Sequence, residues 1–225
     1  MTHLLLDSVD AAVSTLGPGP AVGIWVQGCG RACPECASEH TWSTSGGALA
    51  DTDDVAAWID ASPHRHLTLS GGEPMDQAPA LVELIDTIRR RRDWIVTCYS
   101  GFVLESLRRD VRPGTAALVD RLDLLIDGPY RAEHHAPLRW RGSTNQRLHR
   151  LTDRVEIPPD DVPAGITPVF GDDGSFRIVG VYPERGMFTR LIDGLTEGGT
   201  AVSVSVERRT FPFPTRVPVP TSKES

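Results

Sequence analysis

The chain has 225 residues, of which 40% are hydrophobic and 24% are charged, and its formal net charge is −7. This size and composition suit one globular domain with a substantial core, and the negative charge argues against the positive surface that a nucleic-acid partner requires. The first ten residues lack the positive region of a signal peptide and the length of a membrane span, so we expect no membrane association. Four cysteines in a chain of this length do not form a disulfide framework, which favours a cytoplasmic location.

Four short apolar runs that contain β-branched residues predict buried strands in the first part of the chain. The strands are expected at residues 21–27, 66–70, 94–99 and 122–126.

The segments between these strands are expected to be helical. Thr52 or Asp53 can cap a helix that ends near residue 59. The clearest helix covers residues 79–91, in which apolar side chains recur at helical spacing, and a short helix follows at residues 104–107. Strands that alternate with helices indicate right-handed βαβ units and a parallel sheet.

The periodic pattern weakens after residue 130. Residues 134–161 are polar and interrupted by prolines, so we expect a long functional loop with a short strand near residues 154–157. A strand at residues 175–181, a helix at residues 187–195 and a final strand at residues 201–206 are expected after it. Prolines from residue 211 onward predict an extended, mobile tail.

These elements together predict an α/β fold, in the form of a partial (β/α)6-type TIM-like barrel with parallel strands. One core domain is expected at residues 17–208. An N-terminal segment at residues 1–16 precedes it, and the proline-rich flexible tail at residues 209–225 follows it.

Three cysteines in one short stretch are the strongest chemical signal in the sequence. Cys29, Cys33 and Cys36 have C-x3-C-x2-C spacing directly after the first predicted strand. Three thiolates can hold an iron–sulfur cluster and leave one iron without a protein ligand, where a cofactor or substrate can bind. A second interpretation is a zinc site completed by His40. The fourth cysteine, Cys98, lies in an apolar run and is expected to be a small buried side chain.

A second motif follows the second predicted strand. Residues 71–74 (Gly-Gly-Glu-Pro) form a turn in which the two glycines let the backbone pass close to a ligand. The exposed carbonyl groups of this turn and the Glu73 carboxylate suit an ammonium group. The loops at residues 100–101 and 127–128 are expected at the same sheet edge, where ligand sites of parallel α/β proteins form.

The cysteine spacing and the Gly-Gly-Glu-Pro turn resemble the motifs of radical S-adenosylmethionine (radical-SAM) enzymes, whose three cysteines hold a [4Fe–4S] cluster. In that family the amino and carboxylate groups of S-adenosylmethionine (SAM) occupy the open iron. Three more segments, residues 98–102, 123–129 and 140–146, are similar to segments of the activating enzymes of anaerobic ribonucleotide reductase. The order and approximate spacing agree from Gly17 to about Arg147.

The resemblance implies a radical-SAM enzyme that cleaves SAM reductively and generates a glycyl radical on a partner enzyme. The electrons would come from a donor such as flavodoxin or ferredoxin, and no catalytic residue beyond the cluster and the cofactor is expected. The implied cluster ligands are Cys29, Cys33 and Cys36. The implied SAM contacts are Pro34, Glu35, Cys36, Gly71, Gly72, Glu73, Ser100 and Asp127, and the implied partner or substrate contacts are Trp140, Arg141, Asn145 and Gln146.

Glu35 departs from the family pattern, because the residue before the last cluster cysteine is often aromatic and packs near the adenine. The stacking surface is then expected from Trp42 or Phe102, and the Glu35 carboxylate is expected to disfavour the addition of an electron to the cluster. Two alternatives stay open at this point. One is a radical-SAM enzyme that modifies a peptide or a small metabolite, and the other is a non-catalytic zinc-binding or electron-transfer iron–sulfur module.

Overall fold

A computed structural model describes residues 2–159, 165–170, 176–198 and 211–216. Its strands, in chain order, are β1 (His3–Val13), β2 (Ala21–Val26), β3 (Ala48–Asp51), β4 (His66–Gly71), β5 (Ile95–Ser100), β6 (Leu124–Asp127), β7 (His135–Leu138), β8 (Arg141–Ser143), β9 (Arg147–Arg150), β10 (Ile166–Phe170), β11 (Phe176–Gly180) and β12 (Thr215–Arg216). Its α-helices are α1 (Thr52–Asp60), α2 (Ala78–Arg91), α3 (Leu104–Leu107), α4 (Thr115–Val119) and α5 (Met187–Glu197). Short 3-10 segments lie at Glu39–Thr41, Pro74–Gln77 and Ala132–His134.

In the described part of the chain, eight strands form one sheet in the order β12-β3-β1-β2-β4-β5-β6-β9. Strands β2, β4, β5 and β6 pair in parallel, because a helical connection carries the chain back across one face before each new strand. The other pairings in this sheet are antiparallel. The predicted α/β class and the four predicted parallel strands are therefore confirmed.

The expected partial (β/α)6 barrel is not confirmed. After β6 the chain returns through two tight antiparallel pairs, β7-β8 and β6-β9, instead of continuing with helix and parallel strand. Strand β9 therefore ends one side of the sheet and β12 the other, and the described strands do not close into a barrel.

The main hydrophobic core lies between one face of the sheet and helices α1 to α4. Full burial of one leucine or isoleucine side chain contributes about 1.5–3 kcal/mol, so this layer supplies most of the stabilisation. Asp51, rather than Thr52 or Asp53, caps α1, because its side chain accepts a hydrogen bond of 2.8 Å from the Asp53 N–H. Fully buried members of the core include Val22, Ile24, Leu67, Leu69, Val55, Ile59, Leu81, Leu84, Ile85, Ile88 and Trp94.

Two small hairpins cover parts of the opposite sheet face. Val179 of β11 packs with Val13, Leu16 and Trp25, and Thr15 Oγ1 donates a hydrogen bond of 3.2 Å to the Val179 carbonyl oxygen. The turn between β7 and β8 places Trp140 against Leu124 and Ile126 of β6.

The expectations for the later part of the chain have different outcomes. The strands and helix expected at residues 175–181 and 187–195 are confirmed as β11 and α5. No strand forms at residues 154–157, because the chain turns there to direct Arg154 onto the buried Asp123 carboxylate, at 3.1 Å. The strand expected at residues 201–206 lies outside the described residues.

Both ends of the chain contribute to the sheet. Strand β1, within the expected N-terminal segment, lies between β3 and β2. In the described part of the tail, β12 pairs with β3, and Phe213 is buried with its ring 5.7 Å from that of Trp58. Pro212 and Pro214 precede β12, so no proline interrupts its pairing with β3. Residues 211–216 therefore pack against the domain. Among the described helices, none is long and apolar enough to cross a bilayer.

Candidate functional site

The carboxyl ends of the four parallel strands bring the predicted motifs to one sheet edge. The cysteine loop follows β2, residues 71–74 follow β4, and Ser100 and Asp127 end the neighbouring strands β5 and β6, where they lie opposite each other in register. The structure therefore assembles the predicted SAM-binding and cluster residues in one region.

The cysteine loop is tightly wound between β2 and the 3-10 segment at Glu39–Thr41. Ala32 and Glu35 adopt left-handed backbone angles, with φ of +46° and +57°, and the Cys36 N–H donates to the Cys33 carbonyl oxygen at 3.1 Å. Cys29, Cys33 and Cys36 are free, half-buried thiols. This conformation turns the loop back on itself, as three ligands to one inorganic cluster require.

The three thiols share one electrostatic environment. Burial raises the pKa of the Cys29 and Cys36 thiols, and the neighbouring Cys33 raises both pKa values further. Hydrogen-bond donors oppose this effect and favour the thiolate. The Ser38 N–H donates to Cys36 Sγ at 3.4 Å, and the Trp42 indole also donates to it. Such N–H···S bonds are the usual surroundings of cluster thiolates.

The zinc interpretation is not supported by the structure. A single zinc ion requires all four donors at about 2.0–2.3 Å from one point. Within the described residues, no group of three or more Cys, His, Asp or Glu side chains is arranged around one metal ion. His40 instead lies with Nε2 at 3.5 Å from Asp7 Oδ2.

The glycine turn lies directly against the start of the cysteine loop. The Gly72 N–H donates to the Val26 carbonyl oxygen at 2.7 Å, and the Glu73 N–H donates to the Gly28 carbonyl oxygen at 2.9 Å. A Cβ atom on Gly72 would lie 2.1 Å from the Gly28 oxygen, and Gly71 has a φ of +101°. Any other residue at these positions would push the two loops apart.

The Glu73 carboxylate fixes the glycine turn to the loop after β5. It is almost fully buried, and its Oε1 accepts hydrogen bonds from Ser100 Oγ at 2.9 Å and from the Met75 N–H at 3.1 Å. Its Oε2 accepts from the Gly101 N–H at 2.8 Å. Burial outweighs these bonds and raises the pKa of Glu73 to about 7. Glu73 and Ser100, both predicted for the cofactor, are thus in direct contact.

Asp127 is held by a network that the sequence analysis missed. Its carboxylate is completely buried, and Oδ2 accepts from the Leu104 N–H at 2.7 Å. Arg147 donates to both oxygens, at 3.0 and 2.5 Å, and His149 Nε2 lies 2.9 Å from Oδ2. Arg147 and His149 are two residues apart on β9, so both point to the same face of the sheet. This i, i+2 spacing is the sequence feature that could have predicted that both side chains face one partner.

The segment predicted for partner contacts is tied to the turn after β6. Asn145 Nδ2 donates to the Pro129 carbonyl oxygen at 2.7 Å, and Gln146 Nε2 donates to the Gly128 carbonyl oxygen at 3.2 Å. Arg141 donates to the Gln146 carbonyl oxygen at 3.3 Å, and Trp140 is buried with a φ of +54°. These side chains position the β7-β8 hairpin beside the site.

The Phe102 ring, one of the two expected stacking surfaces for adenine, is already in contact with two guanidinium groups. The guanidinium groups of Arg31 and Arg112 lie over its ring, at 4.6 and 4.5 Å from the ring centroid. Trp42 is half-buried and hydrogen-bonded to Cys36.

The charge of Glu35 is neutralised by an arginine from the far end of the chain. Arg185, between β11 and α5, binds both oxygens of the Glu35 carboxylate, with Nε at 2.8 Å from Oε2. This pair holds the pKa of Glu35 below its usual value. The two residues are 150 positions apart in the sequence, so no local pattern could predict this ion pair.

Comparisons with known proteins agree with this geometry. Residues 15–149 match the family model of the 4Fe-4S single cluster domain. The chain is 33% identical over 150 residues to the anaerobic ribonucleoside-triphosphate reductase-activating protein of Vibrio cholerae, covering 60% of this chain and 91% of the relative. It is 34% identical over 145 residues to the protein of the same name from Haemophilus influenzae, covering 60% and 90%.

The match with the Enterobacteria phage T4 protein of that name is 29% identical over 145 residues, covering 62% of this chain and 89% of the relative. The chain therefore belongs to the 4Fe-4S single cluster domain family and, within it, to the anaerobic ribonucleoside-triphosphate reductase-activating proteins. This confirms the resemblance, and with it a [4Fe–4S] cluster, SAM as cofactor and a radical-SAM enzyme. Strands β10, β11 and β12 and helix α5 lie beyond the family-model match.

Proposed function

We propose that this protein generates a glycyl radical on a partner reductase at a site formed by the cysteine loop and the glycine turn. The observation that carries the proposal is the pair of backbone hydrogen bonds, at 2.7 and 2.9 Å, that join the glycine turn to the β2 end and the cysteine loop. These hydrogen bonds hold the cysteine loop, with its candidate cluster ligands, beside the glycine turn. The backbone carbonyl groups and the Glu73 carboxylate of that turn are acceptors suited to an ammonium group.

Cys29, Cys33 and Cys36 would hold the [4Fe–4S] cluster, which together with bound SAM would supply one-electron reductive cleavage and hydrogen-atom abstraction from the partner. The residues of the chain itself would bind and orient SAM. Gly71, Gly72 and Glu73 would bind the methionine end, and the backbone of residues 34–36 would contact the adenine. Ser100 and Asp127 would act mainly by positioning, which is supported by the hydrogen bonds that already occupy both side chains.

The partner would approach the exposed side of the cysteine loop. Pro34 and Glu35 are exposed there, and the β7-β8 hairpin with Trp140, Arg141, Asn145 and Gln146 would line the mouth. The relatives are named as activators of a reductase, which supports a large protein substrate over a small one.

An external protein must deliver the electron. The chain has four cysteines, and Cys98 is fully buried on β5 with its thiol donating to the Tyr99 carbonyl oxygen at 3.4 Å. One cysteine of this kind cannot support a second cluster to relay electrons. A flavodoxin or ferredoxin in the cytoplasm is the proposed donor.

The test is electron paramagnetic resonance of an anaerobic ribonucleoside-triphosphate reductase that is incubated with this protein. Both proteins are mixed anaerobically with SAM and a reductant after cluster reconstitution, with a Cys33→Ala variant as the control. We expect the doublet of a glycyl radical with the wild type and no signal with the variant. Cleavage of SAM without a glycyl radical on the reductase would contradict the proposed target and favour a peptide or small metabolite as substrate.

A further inference from the structure

Two arginines lie over the Phe102 ring, and within the described residues only one of them pairs with a carboxylate. Arg112, 4.5 Å from the Phe102 centroid, pairs with Asp76 at 2.6 Å and with Asp110 at 2.7 Å. Arg31, at 4.6 Å from that centroid, forms no ion pair with a carboxylate of the described residues. Its Nε N–H is buried, and no described residue accepts a hydrogen bond from it. Arg31 is therefore a half-buried cation without an anionic partner in the part of the chain that the structure describes.

The position of Arg31 indicates where an anion that pairs with it would bind. It stands two residues after Cys29, and its side chain crosses directly over Gly101. A Cβ atom on Gly101 would lie 2.2 Å from Arg31 Cδ and 2.5 Å from Arg31 Nε, so only glycine allows this path. The N–H of Gly101 binds the Glu73 carboxylate at 2.8 Å. Arg31 thus lies between the cysteine loop and the glycine turn.

A partly desolvated guanidinium without a partner is unfavourable, and a bound anion removes this penalty. Two other arginines near this edge are already paired, because Arg147 is bound to Asp127 and Glu105 and Arg185 is bound to Glu35. The methionine end of SAM carries an ammonium and a carboxylate on the same carbon. The glycine turn offers acceptors for the ammonium. The resemblance assigns the amino and carboxylate groups to the open iron, and a carboxylate bound there through one oxygen would still have a second oxygen that accepts a hydrogen bond.

We propose that Arg31 binds the α-carboxylate of SAM. The inference rests on the proposed function, since it assumes that SAM binds at the glycine turn. A planar guanidinium offers parallel N–H donors that match a carboxylate, and stacking on Phe102 holds it in one plane. Arg31 is then a cofactor-binding residue supplied by the cysteine loop itself.

The experiment is a comparison of two ligands on reconstituted protein. SAM and decarboxylated SAM, which lacks only the carboxylate, are titrated calorimetrically into wild type, Arg31→Gln, Arg31→Lys and Arg112→Gln at equal iron and sulfide content. Losing a charge-assisted hydrogen bond to the carboxylate should weaken SAM binding to Arg31→Gln by about 10- to 100-fold. Binding of decarboxylated SAM should not change. Arg31→Lys should recover part of the affinity, and Arg112→Gln, the matched stacking control, should bind SAM like the wild type.

Two results would overturn this assignment while the proposed function stands: unchanged SAM affinity in Arg31→Gln, or an equal loss for both ligands. The second result would show that Arg31 only supports the loop. A wild type with an intact cluster that fails to bind SAM would instead overturn the proposed function, and this inference with it.

Discussion

Replacing Glu73 with glutamine should remove a pH dependence of stability that arises from one buried carboxyl group. Glu73 is 1% exposed and links the glycine turn to Ser100 and Gly101. Glutamine keeps the size and one acceptor oxygen but cannot ionise. The substitution therefore isolates the free energy of holding a charge at this position.

The magnitude follows from the pKa of the group in the two states. Burial raises the pKa of Glu73 from 4.5 to about 7 in the folded protein. The folded state therefore binds this proton more tightly than the unfolded state, and between these pH values the free energy of unfolding falls as the pH rises. The full difference amounts to about 3 kcal/mol, and it is lost by the time the pH exceeds the folded pKa.

The assay is urea denaturation of wild type and Glu73→Gln under reducing, anaerobic conditions from pH 4.5 to pH 8, followed by circular dichroism. Relative to wild type, Glu73→Gln should gain about 3 kcal/mol of stability over this range. Glu39→Gln, at an exposed position, is the control and should show no such gain. A difference between wild type and Glu73→Gln that is constant with pH would refute the reasoning.

Two further substitutions test other parts of the structure. Arg185→Ala leaves the negative charge of Glu35 uncompensated beside Cys36. The midpoint potential of the cluster, measured in a redox titration, should therefore fall. An unchanged potential would show that the Arg185–Glu35 pair has no electronic role. Asp123→Ala removes the buried carboxylate that binds Arg89 and Arg154 at the opposite end of β6, and should lower the free energy of unfolding by about 3 kcal/mol, measured by urea denaturation. SAM cleavage by the folded Asp123→Ala variant should persist, and its loss would contradict a purely structural role.

Local patterns were enough to predict the central part of the fold. The apolar runs at β2, β4, β5 and β6 and the helical spacing in α2 reflect burial on one side of each element, which sequence periodicity records directly. The same reasoning placed the cysteine loop and the glycine turn at one edge. That placement depends only on the strands being parallel.

The rest of the fold depends on contacts between distant parts of the chain. The return of the chain through β7 to β9 is fixed by the pairing of β9 with β6, in which Arg147 and His149 face the Asp127 carboxylate. The short β12 strand forms because β3 offers a free edge. Neither segment has an apolar period of its own.

In the candidate site, too, local motifs predict some features, whereas others depend on contacts between distant segments. Short motifs were enough to predict candidate cluster and cofactor ligands, and the structure brings several of these residues to one sheet edge. The sequence did not predict that two guanidinium groups lie over the Phe102 ring or that Arg185 pairs with Glu35. Both arrangements join segments that are far apart along the chain.

The most direct test of the central claim is the formation of 5′-deoxyadenosine from SAM by the reconstituted, reduced protein, quantified chromatographically. We expect the wild type and Cys98→Ala to form it, since Cys98 lies in the core, and Cys33→Ala to form none. Formation at the wild-type rate by Cys33→Ala, or a colourless wild type that binds one zinc and leaves SAM intact, would contradict the account.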